Sequence, residues 1–490
     1  MRQYRDEPVS HRCQDPSDNQ SKELRVSSGI ARWSPSGTLL TVFVAVAAPD
    51  LIQAQRQPEA SASAGMPQWL HVSGTQRTRY EHLWNQLGST TRDNDMALSL
   101  RSTLLAEFSF APVAVVIELA DSRTYLRDAA APVTVSLVNP LDILQAHVSI
   151  DIPNFLTNDA LLRMRIGRQT MDIGSRRFVA RNRFRNTINA FGGLSIEWTS
   201  RDRHSLRAFV AVPVERRVDP SRVNGLRLDR ERFESVFWGV SVASRHLTGS
   251  VTAEFNLFGI HERDSERFST TNRRFIAPGL RLYRDPETGR VDFEIEGVTE
   301  AGLSRLTRLP QDTADLRHFA FFLHASLGHT FIGGVRPRFL LQYDYASGDK
   351  DPFDDSNGRF DTLFGARRFE FGPTGIYGAL GRSNISSPGA RVEMQPARRL
   401  EVFLAYRAAW LAQERDAWTT TLIRDEAGNS GTFVGHQIEG RVRWTIMPDH
   451  ATLEAGMARL WLGGFPKSAP NGASDARDPT YAYGQFALQF

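Results

Sequence analysis

Arginine is the residue type in this sequence with the most chemistry to offer. Lysine occurs only at Lys22, Lys350 and Lys467, so nearly all the positive charge sits on guanidinium groups. A guanidinium stays charged where water is scarce and grips carboxylates with a planar fork. These arginines do not run in blocks. They recur with carboxylates at alternate positions: Arg77, Arg79 and Glu81; Arg101 and Glu107; Arg163 and Arg165; Arg338; Glu401 and Arg407; Glu439, Arg441 and Arg443. Alternate residues of an extended chain share one face. Such a face either presents an anion-attracting field moderated by acids, or only solvates and stiffens a polar wall. A genome rich in arginine codons would also favour arginine over lysine. The three accounts are compatible.

Other chemistries find little support. There is no His-Glu-x-x-His, no phosphate loop and no Gly-x-Ser-x-Gly, so no enzyme is expected. His318 and His324 lie six residues apart; they read as wall groups on one polar face rather than metal ligands. Asp349, Asp351, Asp354 and Asp355, with Asn357, are hard oxygen donors that could hold Ca²⁺, though their spacing is not that of an EF-hand. No other cofactor is expected. The basic segments lack interleaved aromatics on one face, which leaves nucleic acid without a reader. The single cysteine, Cys13, precedes the expected cleavage site, so a processed chain would have no disulfide.

The elements that carry the arginines are strands. Leu98, Leu100, Leu104, Ala106, Phe108 and Phe110 oppose Arg101, Thr103 and Glu107. Val335, Phe339, Leu341, Tyr343 and Tyr345 oppose Arg336, Arg338, Gln342 and Asp344. The pattern repeats over 399–410 and 433–446. Period-two alternation means one apolar and one polar face. A soluble sandwich would alternate too. However, these segments run near ten residues, the length of a membrane strand. Short turns also alternate with long polar loops, as in outer-membrane barrels. No run of eighteen apolar residues occurs, so no spanning helix is expected.

Sixteen strands are counted directly, near 69–84, 96–110, 113–122, 142–152, 161–169, 191–199, 204–214, 233–243, 247–260, 316–329, 335–346, 386–395, 399–412, 433–446, 450–463 and 480–490. The long stretch 261–315 holds a possible further hairpin, Leu280–Tyr283 and Val291–Ile295, which would make eighteen. The fold expected over 69–490 is therefore a single all-β transmembrane antiparallel barrel. Phe486, Leu488 and the terminal Phe490 share a face, a pattern that barrel-assembly machinery reads. Trp69, Tyr80, Trp84, Trp198, Trp410, Trp461, Tyr481 and Tyr483 are candidates for interfacial girdles. Outer-membrane lipid and lipopolysaccharide would then be partners.

Upstream, TLLTVFVAVAA over 38–48 has the length of a signal-peptide core and follows Arg25 and Arg32. Residues 1–54 read as a signal peptide with an over-long leading region, cleaved near Ala54. A translation start nearer Val26 would explain the excess. Residues 55–68 read as a disordered lead-in.

Several stretches resemble the alginate-export family of outer-membrane porins. Arg77-Thr78-Arg79-Tyr80-Glu81 is similar to its opening strand. Ile166-Gly167-Arg168-Gln169, Asp172-Ile173-Gly174-Ser175-Arg176-Arg177, Phe184-Arg185-Asn186 and Ala190-Phe191-Gly192-Gly193 are similar to its strand, loop and following strand. Tyr345-Ala346-Ser347-Gly348-Asp349 with Phe360-Asp361-Thr362-Leu363-Phe364, and Val434-Gly435-His436-Gln437-Ile438-Glu439, resemble two further segments. Gly192 and Gln437 stand where the family usually has carboxylates. The resemblance implies an eighteen-stranded monomeric barrel, with Arg168, Arg177 and Arg185 near a constriction. Arg168 falls on the opposite parity from Arg165, so it faces the lumen only if the strand bulges near Gly167. The function implied is export of an acidic polysaccharide. Diffusive uptake of small anions or sugars is the alternative; a hydrolase or closed structural barrel is a third.

Overall fold

Alternation becomes strand wherever the sequence carries it. The computed structural model describes residues 67–87, 94–127, 134–200, 203–219, 221–266 and 268–490. The expected signal peptide over 1–54, cleavage near Ala54, Cys13, the start near Val26 and nearly all of the lead-in over 55–68 lie outside them.

Eighteen long strands follow in chain order: β1 (Leu70–Trp84), β2 (Asn94–Phe110), β3 (Val113–Tyr125), β4 (Asn139–Pro153), β5 (Ala160–Gln169), β6 (Phe191–Ser200), β7 (His204–Glu215), β8 (Ser235–Thr248), β9 (Val251–Glu262), β10 (Arg274–Arg284), β11 (Val291–Ser304), β12 (Leu316–Thr330), β13 (Arg338–Ala346), β14 (Ile385–Ala397), β15 (Leu400–Trp410), β16 (Phe433–Met447), β17 (Ala451–Leu462) and β18 (Thr480–Gln489). Each pairs antiparallel with its neighbour in sequence. β1 closes the barrel on β18, from Thr75↔Gln489 to Trp84↔Thr480. At that seam Phe490 and Gly74 exchange backbone hydrogen bonds of 3.0 and 3.1 Å. A Cβ on residue 74 would stand 2.5 Å from the Phe490 ring, so glycine there lets the terminal aromatic seat.

The suspected hairpin in 261–315 is real and longer than its sequence signal: it is β10 and β11, joined through Asp285–Arg290. That stretch is therefore not one long loop. The turn between the strands expected over 233–243 and 247–260 falls later, because β8 runs on to Thr248.

Burial is inverted relative to a water-soluble protein. Phe319, Leu341, Leu404 and Trp444 are half or more exposed on the outer face, whereas Arg338, Asp344, Glu439 and Arg441 are buried inside. That arrangement is unfavourable in water and favourable when lipid solvates the outer face. Tyr481 and Tyr483 do not join a girdle. They point inward and donate to Glu81 and Glu454 at 2.7 Å each. Their odd positions put them opposite the outward Phe486 and Leu488.

Candidate functional site

Two outer connections, 170–190 and 347–384, fold into the barrel rather than over it. The cause is an apolar patch on the inner wall. Phe191 of β6, Phe209 of β7, Phe237 of β8, Phe258 of β9 and Phe322 of β12 all face inward and are buried. The loops supply matching rings. Phe364 lies 4.8 Å from Phe237 and 5.2 Å from Phe191, and Phe178 lies 5.8 Å from Phe322. Buried aromatic pairs stabilise through area and ring geometry together. The loops also pair with each other through Phe364 N–H to Phe178 O at 2.9 Å and Ala180 N–H to Phe364 O at 3.2 Å.

Beside this patch sits an ion knot. Arg177 donates to Glu294 and Glu296 of β11 at 2.5 Å each and to Glu370 of the second loop at 2.9 Å. Arg382 ties Glu370 at 2.8 Å and the Arg177 carbonyl at 2.8 Å. A guanidinium buried among carboxylates needs every partner to offset its desolvation. Burial works against the Arg177 charge, but Glu294, Glu370 and Glu296 outweigh it and hold its pKa well above the usual value.

Across the lumen the contacts are of another kind. Arg77 of β1 donates to the carbonyls of Arg183, Phe184 and Arg185, at 2.8 to 3.1 Å, and to Asn186 Oδ1 at 3.1 Å. Arg79 donates to Phe184 O at 2.7 Å and stacks on its ring. Arg101 of β2 reaches Arg183 O and Arg185 O. These expected lumen arginines do face inward, where they hold loop backbone. Further round, Arg368 pairs with Glu439 at 2.6 Å, and Arg443 pairs with Glu454 of β17 at 2.6 Å. Arg441 lies 3.4 Å from Glu454 and 3.7 Å from Glu401. Gln437, where a carboxylate was anticipated, accepts from Tyr377 at 2.8 Å.

The other expected lumen residues are ladder members. Arg163 pairs with Asp151 at 2.5 Å, Arg165 with Glu197 at 3.4 Å, Arg338 with Asp292 at 2.6 Å, and Arg407 with Asp344 at 2.8 Å. Glu107 is half-buried on the inner face and accepts from Ser109.

Arg168 is the exception. Gly167 has a φ of 128°, yet neither flanking pairing shifts register there. Arg168 therefore keeps the outward parity of the exposed Ile166 and pairs with Glu231 at 2.8 Å. A Cβ on Gly192 would stand 3.0 Å from Glu231 Cγ, so Glu231 occupies the space beside the carboxylate-free position.

Sequence reasoning missed Glu254, Glu294, Glu296, Glu454, Arg281 and Arg382. Glu294 lies within the possible strand Val291–Ile295 and alternates with Phe293 and Ile295, a signal of its facing that continues to Glu296.

One cluster among the described residues brings two guanidinium groups onto a single amide oxygen with no carboxylate in direct contact. Arg185 and Arg216 both donate to Asn189 Oδ1, at 2.8 and 2.9 Å. Neither forms an ion pair with a carboxylate among the described residues, and Arg367 lies close enough to repel Arg185. Burial, then Arg216 and Arg367, bring the Arg185 pKa down to about 9. A small cavity of about 10 Å³ opens beside Arg216, lined also by Asn139, Asp142 and Asp229. Burial, then the neighbouring Asp142, raises Asp229 to about 7.

The acidic loop does not converge on a cation. Asp349 accepts from Gly358 N–H, Asp351 faces Arg415, Asp354 caps Ser356 and Asp355 pairs with Arg317. Among the described residues no three His, Cys, Asp or Glu gather as a metal group. His318 contacts Glu300 at 3.1 Å and His324 contacts Asp344 at 2.7 Å, as inner-wall groups.

The alginate export family model matches residues 68–478. No curated protein matches the sequence. Among solved structures, Pseudomonas aeruginosa OccK9 (OpdG) superposes with a TM-score of 0.57 at 10% identity, covering 86% of this chain and 98% of that one. P. aeruginosa OccK8 (OprE) gives 0.56 at 10% identity, over 86% and 98%. P. aeruginosa OpdK, solved with vanillate, gives 0.53 at 10% identity, over 86% and 99%. Identities this low speak to the fold alone.

Proposed function

The chain belongs to the alginate-export family, and from that premise we propose that it is an outer-membrane porin carrying an acidic, alginate-like polysaccharide out of the cell. The observation that carries the choice of an anion is the pair of guanidinium groups, Arg185 and Arg216, sharing one amide oxygen. Two like charges held this way are relieved by an anion between them. A polyuronate offers one carboxylate per sugar. Each loses hydration in a narrow passage, at a cost that replacement cations offset. Contact at any one site must stay weak, or the chain would stall. Arginines already bound to loop carbonyls or carboxylates contribute field rather than grip. Phe490 would present the finished strand to the assembly machinery, the barrel would act as a monomer, and no catalysis is part of this reading.

In planar bilayers the protein should conduct with anion selectivity, and added polyuronate should block it. Arg216→Gln should lower the anion-to-cation permeability ratio on the order of tenfold, the scale of one charge-assisted contact. Cation selectivity of the unaltered protein would refute the proposal. A second reading, uptake of small anions, is favoured by the two loops that fold inward and narrow the lumen. Anion conductance without polymer block would select it.

A further inference from the structure

The outer wall carries a feature that transport does not use. At the loop-side ends of β10, β11 and β12, Arg274, Leu303 and Arg317 lie in one cross-strand row. Neighbouring strands are about 4.8 Å apart, so the two arginines start about 10 Å from each other. Both share the outward face with large apolar residues: Ile276 and Leu280 on one side, Phe319 and Phe321 on the other. Between these flanks three successive outward positions of β11, Gly297, Thr299 and Ala301, are small, bounded by Ile295 below and Leu303 above. The row below Leu303 is Ile276, Ala301 and Phe319; further down, Gly297 faces Leu280 and Leu323. A Cβ on Gly297 would meet nothing nearer than 4.0 Å. The result is a shallow apolar furrow along β11 with a guanidinium at either side of its upper end.

We propose that this furrow binds a phosphorylated glycolipid of the outer leaflet, with one acyl chain along β11 and its headgroup phosphates held by Arg274 and Arg317. The proposal rests on the outer-membrane placement argued above, though not on what the lumen carries. Arg317 is free to engage. Its side chain is 74% exposed and its partner Asp355 76% exposed. An exposed pair of that kind contributes little, whereas arginine binds phosphate through two parallel, charge-assisted bonds. Arg274 pairs with Asp315, which is shared with Arg305, so its neighbourhood keeps a second cation in reach. A phospholipid would offer a phosphate too. The glycolipid is favoured because it carries more than one phosphate, matching two arginines on opposite sides of one furrow. It also belongs to the leaflet on the long-loop side, where these arginines stand.

Native mass spectrometry of the detergent-purified barrel, titrated with bisphosphorylated lipid A, tests this directly. Bound lipid A is expected on the unaltered protein. Roughly tenfold weaker retention is expected for the double variant Arg274→Gln with Arg317→Gln. Gly297→Leu, which fills the furrow and leaves both charges, should weaken retention as well. Equal retention by the unaltered protein and both variants would overturn the proposal. So would equal binding of dephosphorylated lipid A, or of phosphatidylglycerol. Heat-modifiable gel mobility certifies that the variants fold. Bilayer conductance read in parallel keeps the two proposals apart, since loss of anion selectivity with lipid A still bound would sink the pore reading alone.

Discussion

The two halves of the inner wall hold the same loops by opposite means. From β6 to β9 and at β12 the loops dock by ring packing on inward phenylalanines, which share the wall with ladder groups such as Glu197 and Glu254. From β1 to β2 and from β16 to β18 the wall is charged, and the loops are held by guanidinium bonds to carbonyls and carboxylates. The apolar half behaves as a small protein core inside a barrel. Its contribution depends little on salt or pH. The polar half keeps cations near whatever water enters, so an anion meets guanidinium groups there and at the Arg185–Arg216 cluster. Constriction and attraction are thus separate jobs of separate walls.

That division can be broken at the knot joining the halves. Arg177→Gln leaves Glu294, Glu296 and Glu370 buried without their main cation. The cost should reach about 5 kcal/mol, because stranded buried charges are expensive. The expected signs are a lower midpoint in denaturant and larger, noisier single-channel currents as the loops loosen. Unchanged currents would mean that the loops stay in place without Arg177.

Phe237→Ala probes the apolar half alone. Phe237 is fully buried against Phe191, Phe209, Phe258 and Phe364. Its truncation should cost about 3–4 kcal/mol through lost area and a cavity. Conductance should rise while ion selectivity stays the same. A change in selectivity would refute the separation of jobs. Arg77→Gln probes the polar half. It removes donors to three loop carbonyls and should cost about 1–3 kcal/mol. Here selectivity should fall with a smaller change in conductance, the reverse of the phenylalanine result.

The charged half was legible in the sequence and the apolar half was not. Arg77, Arg79 and Glu81 alternate with Thr78 and Tyr80, so their facing could be read directly. Phe237 lies in Ser235-Val236-Phe237-Trp238-Gly239-Val240, apolar at both parities, where alternation carries no direction. β10 and β11 escaped a direct count because Pro278 and Gly279 interrupt the pattern and Asp285–Arg290 looks like loop. The inward fold of the loops was illegible for a different reason. Arg177 and Glu294 are 117 positions apart, and nothing local in either stretch announces the other. The resemblance placed Arg177 and Arg185 near a constriction. It erred on Arg168, whose strand keeps register through Gly167.

The smallest expected effect lies at the rim of the anion cluster. Asp229 sits in the outer connection 216–234, near Arg216, and is raised from 3.8 to about 7 by burial and by Asp142. A carboxyl whose folded pKa is raised favours the folded rim while it is protonated. That contribution is complete below about pH 4 and is lost as pH rises through about 7. The same ionisation places a negative charge beside Arg216 and weakens its pull on anions. Anion selectivity should therefore decline a few-fold between pH 6 and about 8. In Asp229→Asn the decline should disappear, with selectivity held at the low-pH value. If the decline persists in that variant, the titrating group belongs to the ladder on the polar wall, and the cluster at Asn189 is not where selectivity is set.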